Sequence, residues 1–188
     1  MTTDRRFCRF NNRESISLGR VDSSEVVTRE IPEGGLCLSS FVVITEESNP
    51  RRVLLGHLNP NARWDHIGAL DEARVKAHGG GWMIPSSHLM VHESPQEAAS
   101  RILREQLNLK GLPLSEPRVV SEVSTPRRFP NLPAHWDLEF IFLGHTDRLP
   151  QSDAWTELRF IDLAKTPKSE IARSHEDILE SAGLKFGS

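Results

Sequence analysis

The chain has 188 residues, 37% of them hydrophobic and 26% charged, which suits one folded domain with a sizeable core and excludes a disordered chain. Its 23 basic and 26 acidic side chains leave a formal charge of -3 with no long basic run, so no nucleic-acid partner is expected, whereas a small phosphorylated molecule needs only a few local cations. The apolar runs FVVI and FIFLG are too short to span a membrane, the start MTTDRRFCRFNNRES lacks the apolar middle of a signal peptide, and Cys8 and Cys37 alone form no disulfide framework; the expected setting is cytoplasmic, with no membrane partner.

Residues 1–22 read as a polar lead-in to a single domain over 23–188. LCLSSFVVI (36–44) predicts a strand that buries Cys37 beside it, and RRVLLGHL (51–58) its hairpin partner across TEESNP. Residues 59–81 form a long polar connection broken by NPNARW and HGGG, a length that is often functional. GWMIP (81–85) predicts a short strand stopped by Pro85. The next boundary is the clearest: Ser94 caps a helix, Pro95 takes its first position, Glu97 completes a capping box, and Asn108 ends it after Leu107. Strands follow at 117–124, 135–145 and 156–163, and a final helix runs from about Ser174 to Leu184. This order predicts a mixed α/β fold with a sheet between helices.

The central stretch GGGWMIPSSHLMVHESPQEAASRILREQLNL resembles the Nudix box, G-x5-E-x7-R-E-U-x-E-E-x-G-U with U a bulky aliphatic residue. Ser87 stands at the first glycine, and Glu93, Arg101, Leu103, Glu105 and Leu109 match. Ile102, Gln106 and Asn108 replace a glutamate, the last glutamate and a glycine, while Ser86-Ser87 replaces Gly-Gly and His92 the glycine before Glu93. Flanking stretches extend the resemblance over residues 23 to 184, and VVTR, LLG and the AA…R helix are similar to GDP-mannose mannosyl hydrolases. The resemblance implies a Nudix fold, an α/β/α sandwich with a curved mixed sheet. It also implies hydrolysis of a nucleoside diphosphate linked to another moiety, such as a nucleotide sugar, with Mg2+ or Mn2+, in a homodimer.

By the same resemblance Arg101 braces Glu93, and both stand as catalytic positions; Glu105 is the main surviving metal ligand, with Gln106, the Ser87 carbonyl and Glu139 as helpers. The residues themselves read Glu93 as a structural partner of Arg101 before a catalytic base, and Glu105 as either a metal ligand or a member of a solvated pair with Arg101. Ile102 joins Ala98, Ala99, Leu103 and Leu107 in an apolar stripe. On the late strand Asp137 and Glu139 share a face. His135 lies near where the mannosyl hydrolases carry a catalytic histidine, and is a candidate base or ligand contact. His88, when protonated, is a phosphate contact in place of an arginine of those enzymes; His66, His78 and His92 are its companions around the long loop. Arg127 and Arg128 beside Phe129 suit a phosphate or a stacked base. Two readings follow: a hydrolase with a weakened or relocated metal site, or an inactive ligand-binding or regulatory module. A protein-interaction domain is a third.

Overall fold

The computed structural model describes residues 35–70, 72–124 and 134–187. The expected lead-in at 1–22 and the expected contacts Arg127 and Arg128 lie outside them.

Strand β1 (Leu36–Thr45) is the centre of the molecule. Its side chains alternate between two faces, so Val42 and Ile44 enter one core while Phe41 and Val43 enter the other. It runs parallel to β5 (His135–His145), from Leu36 opposite Trp136 to Thr45 opposite His145. β4 (Arg118–Ser124) lies antiparallel on the far side of β5. On the other flank β2 (Arg52–Leu58) meets β1 and then β6 (Trp155–Asp162), giving the order β4-β5-β1-β2-β6, with β3 (Ser86–His88) paired to β1. The sheet is mixed and open.

The expected TEESNP turn forms, with Glu46 N–H on the Arg52 carbonyl and Arg52 paired to Glu46 at 2.7 Å. The hairpin is short, however: Thr45 opposite Val53 is its register, and β2 then follows β6 from Arg52 to Leu58. The 59–81 connection is not structureless. It folds into α1 (Trp64–Ile67) and α2 (Glu72–His78), because Trp64, Leu70 and Val75 have a core to enter. The strand expected at 81–85 is also displaced. Trp82 and Met83 make only single bridges, to Ile171 and Gly56, and the regular pairing starts beyond Pro85. Pro85 lacks an N–H but its carbonyl still accepts from Val42.

Helix α3 (Pro95–Leu107) meets its expectation in full. Ser94 Oγ accepts from Glu97 N–H, the Glu97 side chain returns to Ser94 N–H, and Asn108 adopts φ 51°. Together with α1 and α2 it covers one face of the sheet. α4 (His175–Ser181), shorter than expected, covers the other with Ile178 and Leu179. Among the described residues no helix is long and apolar enough to cross a membrane.

Candidate ligand-binding site

The loop before α3 is tied to the helix through Arg101, which is 4% exposed. Its Nε and Nη2 donate to the two Glu93 oxygens at 2.7 and 2.9 Å, Nη2 also to the His88 carbonyl at 2.9 Å, and Nη1 to Ser87 Oγ at 3.3 Å. Burial alone raises the Glu93 pKa, but the Arg101 bond, the Met90 N–H at 2.8 Å and the Arg101 charge together hold it below its ordinary value. Glu93 is thus an ionised anchor of the loop. His92, just before it, sits at φ 68°, a conformation that glycine adopts at lower cost.

The helix positions that hold carboxylates in the Nudix box are spent on packing. Ile102 is wholly buried among Val42, Leu103 and Phe142 in the core. Gln106 is also fully buried, and both ends of its amide are used. Nε2 donates to the Ser86 and Ile67 carbonyls, each at 2.8 Å, while Oε1 accepts from Ser86 N–H at 3.2 Å. These bonds fasten the β3 strand and the end of α1 to α3. Glu105 differs: its Oε2 is buried without a hydrogen-bond partner among the described residues, 3.9 Å from Arg101 Nη1. One carboxylate oxygen is a poor fit to a hard divalent cation, which takes several oxygen ligands. No group of three or more His, Cys, Asp or Glu side chains among the described residues is placed to hold a metal ion. The residues present therefore do not fit the family's helix-borne cation site.

On the α4 side of the sheet the strands bring together a second set of polar groups. The β1/β5 register places Cys37 beside Asp137 and Ser39 beside Glu139, and the β4/β5 register places Glu122 beside Asp137. His88 on β3 stands opposite Ser39, and its Nδ1 lies 3.0 Å from Ser39 Oγ and 3.2 Å from Cys37 Sγ. His135 Nε2 contacts Asp137 at 3.2 Å, leaving a buried Nδ1 with no hydrogen-bond partner among the described residues. Burial first, and then the charges of Asp137, Glu122 and Asp177, push the Glu139 carboxyl up to about 8, against the attraction of Arg173. Glu139 is thus mostly protonated at neutral pH and can donate a hydrogen bond as well as accept. Desolvation lowers Arg173 to about 10, so it stays cationic there, close to Cys37, Asp137 and Glu139.

Of the expected site residues, the structure gathers Ser87, His88, Glu93, Arg101 and Glu105 around the loop–helix brace, and His88, His135 and Glu139 along the polar sheet face. Gln106 lies apart, beneath β3. The histidines of the long connection do not join them as one cluster. His66 is exposed on α1, His92 is exposed on the loop, and His78 is buried on α2. Asp137 joins Glu139 there, as their shared strand face predicts, while Cys37, Ser39 and Arg173 enter the second set without having been singled out for it. The pairing of β1 with β5, a hundred residues later in the chain, brings Cys37 and Ser39 to Asp137 and Glu139, and the turn before α4 adds Arg173.

No protein-family model matches the sequence, and no curated protein does. Among solved structures, the Nudix domain of Shewanella oneidensis NrtR, in a cocrystal with ADP ribose, is similar with a TM-score of 0.53 and 17% identity, over 78% of this chain and 85% of that one. A mutT/nudix family protein from Listeria innocua gives 0.50 and 21%, over 78% and 90%. These likenesses identify the arrangement of strands and helices as the Nudix fold.

Proposed function

From the Nudix fold as premise, we propose that this chain binds a small phosphorylated molecule, a nucleoside diphosphate linked to a further group such as a sugar. We propose further that it serves as a ligand-binding or regulatory module in which the helix no longer loads a catalytic cation. The observation that carries this reading is Gln106, whose amide is consumed by Ser86 and Ile67 inside the protein. A fully buried amide whose two donors are both spent on internal carbonyls has no donor left to offer a ligand. Residues 23–188 act as one domain in this reading, with 1–22 as its lead-in.

The polar face of the sheet supports the binding half. Asp137, Glu139, Glu122 and Ser39 offer acceptors, and protonated Glu139 a donor, suited to the hydroxyls of ribose or a second sugar. Arg173 and His88, with Arg127 and Arg128 from outside the described residues, are the cations for the phosphates. The NrtR Nudix domain with ADP ribose is a precedent for such a ligand on this fold. Calorimetric titration with ADP-ribose and a panel of nucleotide sugars, in buffer containing EDTA, tests the proposal. Binding that Asp137→Asn weakens supports it; no heat from any member of the panel overturns it.

A hydrolase with a relocated metal site is the second reading, favoured by the unpartnered buried oxygen of Glu105. Glu105 would then be the main contact of Mg2+ or Mn2+, with Ser87 and Glu139 as the further expected contributors. Glu105→Gln should abolish any magnesium- or manganese-dependent release of phosphate or sugar, and unchanged turnover would remove Glu105 from the chemistry.

A further inference from the structure

The turn before α4 holds two consecutive residues, Arg173 and Ser174, at φ 60° and 58°, a left-handed pair that side chains adopt only at a cost in energy. Its flanks keep it there. Trp82 N–H donates to the Glu170 carbonyl at 2.8 Å, Ala172 N–H to the Trp82 carbonyl at 2.9 Å, and Ile84 N–H to His175 Nδ1 at 3.0 Å. Gly81 belongs to the same clasp, since a Cβ on it would lie 2.8 Å from Ala172 Cβ. The strain secures no internal contact for the side chain it carries. Arg173 is half-buried, and among the described residues its guanidinium makes no hydrogen bond and no ion pair.

Further basic groups approach this turn from α2. Arg74 and His78 stand four residues apart, hence on one face of that helix. Only Gly79, Gly80 and Gly81 separate His78 from Trp82, and Gly81 N–H returns to the His78 carbonyl at 3.1 Å, so the helix ends beside the clasp. After burial itself, the charge of Arg74 is what most disfavours a proton on Arg173, and Arg173 and His78 together disfavour one on His175. Cys37, Asp137 and Glu139 attract Arg173 from the sheet without bonding to it. Like charges gathered round an unbonded guanidinium repel one another until an anion joins them. We infer that Arg173 and Arg74 form the seat of one phosphate group of the ligand, with the left-handed turn as the device that presents Arg173 to it. The inference rests on the binding reading above and adds where the anion lies, on the side of the polar sheet face where α2 ends. A guanidinium meets two oxygens of a phosphate side by side through its planar fork. Because the ligand and not the fold uses this side chain, stability and binding pull in opposite directions at Arg173.

Inorganic pyrophosphate is the probe, titrated calorimetrically into the full chain in EDTA beside the nucleotide-sugar panel. Glycine adopts the left-handed conformation freely, so Arg173→Gly should raise the melting temperature by about 2–4 °C while weakening pyrophosphate binding about tenfold or more. Glycine also loosens the turn. Arg173→Asn, which tolerates the same conformation and keeps a side chain, should therefore show the same opposed changes. Arg74→Gln should weaken pyrophosphate severalfold. A melting temperature lowered by both Arg173 variants would assign the side chain to the fold and overturn the inference. So would pyrophosphate binding that ignores them, or a parent that binds none. Pyrophosphate held through Arg173 while no nucleotide sugar binds supports the seat and overturns the reading above instead.

Discussion

Replacing Gln106 with glutamate returns to the helix the carboxylate that the Nudix box has there, and it separates the two accounts of this position. As a ligand position, it would gain a cation and activity. As an internal tie, it loses two donors. The Ser86 and Ile67 carbonyls now accept from Nε2 at 2.8 Å, and a carboxylate offers neither of them a proton. Leaving a buried acceptor unsatisfied costs about 2 kcal/mol, so the pair costs about 4 kcal/mol before any charge is buried. That is a large part of the about 5–15 kcal/mol by which a domain of ordinary stability stays folded. The carboxyl can recover one donor by staying protonated, which raises its folded pKa. Its contribution is then present at low pH and lost as pH rises, so Gln106→Glu should do more damage at pH 8 than at pH 5. Urea unfolding at both values, with and without millimolar magnesium, measures this. A variant as stable as the parent at pH 8, with a midpoint that climbs on adding magnesium, would refute the reasoning.

Glu139→Gln should stabilise the protein near neutrality. The folded carboxyl titrates at about 8 against an ordinary 4.5, so its contribution is intact below about 4.5 and lost as pH rises through 8. The gap between 4.5 and neutrality corresponds to about 3 kcal/mol, and parent and variant should converge at pH 4 in chemical unfolding. His175 works in the opposite direction. Its Nδ1 accepts from Ile84 N–H at 3.0 Å, and burial, then Arg173 and His78, hold its pKa well below 6.5. Its contribution is therefore present above about 6.5 and lost as pH falls, and His175→Gln should flatten the acid side of a melting-temperature profile. Arg101→Ala leaves the Glu93 carboxylate buried without its cation, held only by Met90 N–H, and the His88 carbonyl without its Arg101 donor, and should cost about 3–5 kcal/mol in urea unfolding at neutral pH.

The sequence revealed elements whose signals are local. Ser94, Pro95, Glu97 and Asn108 mark the ends of α3 because capping is settled within four residues, and strand alternation correctly put Asp137 and Glu139 on one face. What it concealed depends on distant partners. The 59–81 stretch looks like a loop until Trp64 and Leu70 find their core, and the hairpin of β1 with β2, which does form, gives no sign that the other edge of β2 takes β6 from a hundred residues away. Gln106 is the sharpest case. A glutamine in a box position reads equally as a weak ligand or as a tie, and only the carbonyls of Ser86 and Ile67 distinguish them.

Whether ligand binding persists without a catalytic cation is measured by paired calorimetric titrations of ADP-ribose and nucleotide sugars, one with EDTA and one with magnesium and manganese. The predicted result is the same affinity in both, with every ligand recovered intact by phosphorus NMR. Binding that requires the metal, or recovery of cleaved products in the metal-containing sample alone, would contradict it.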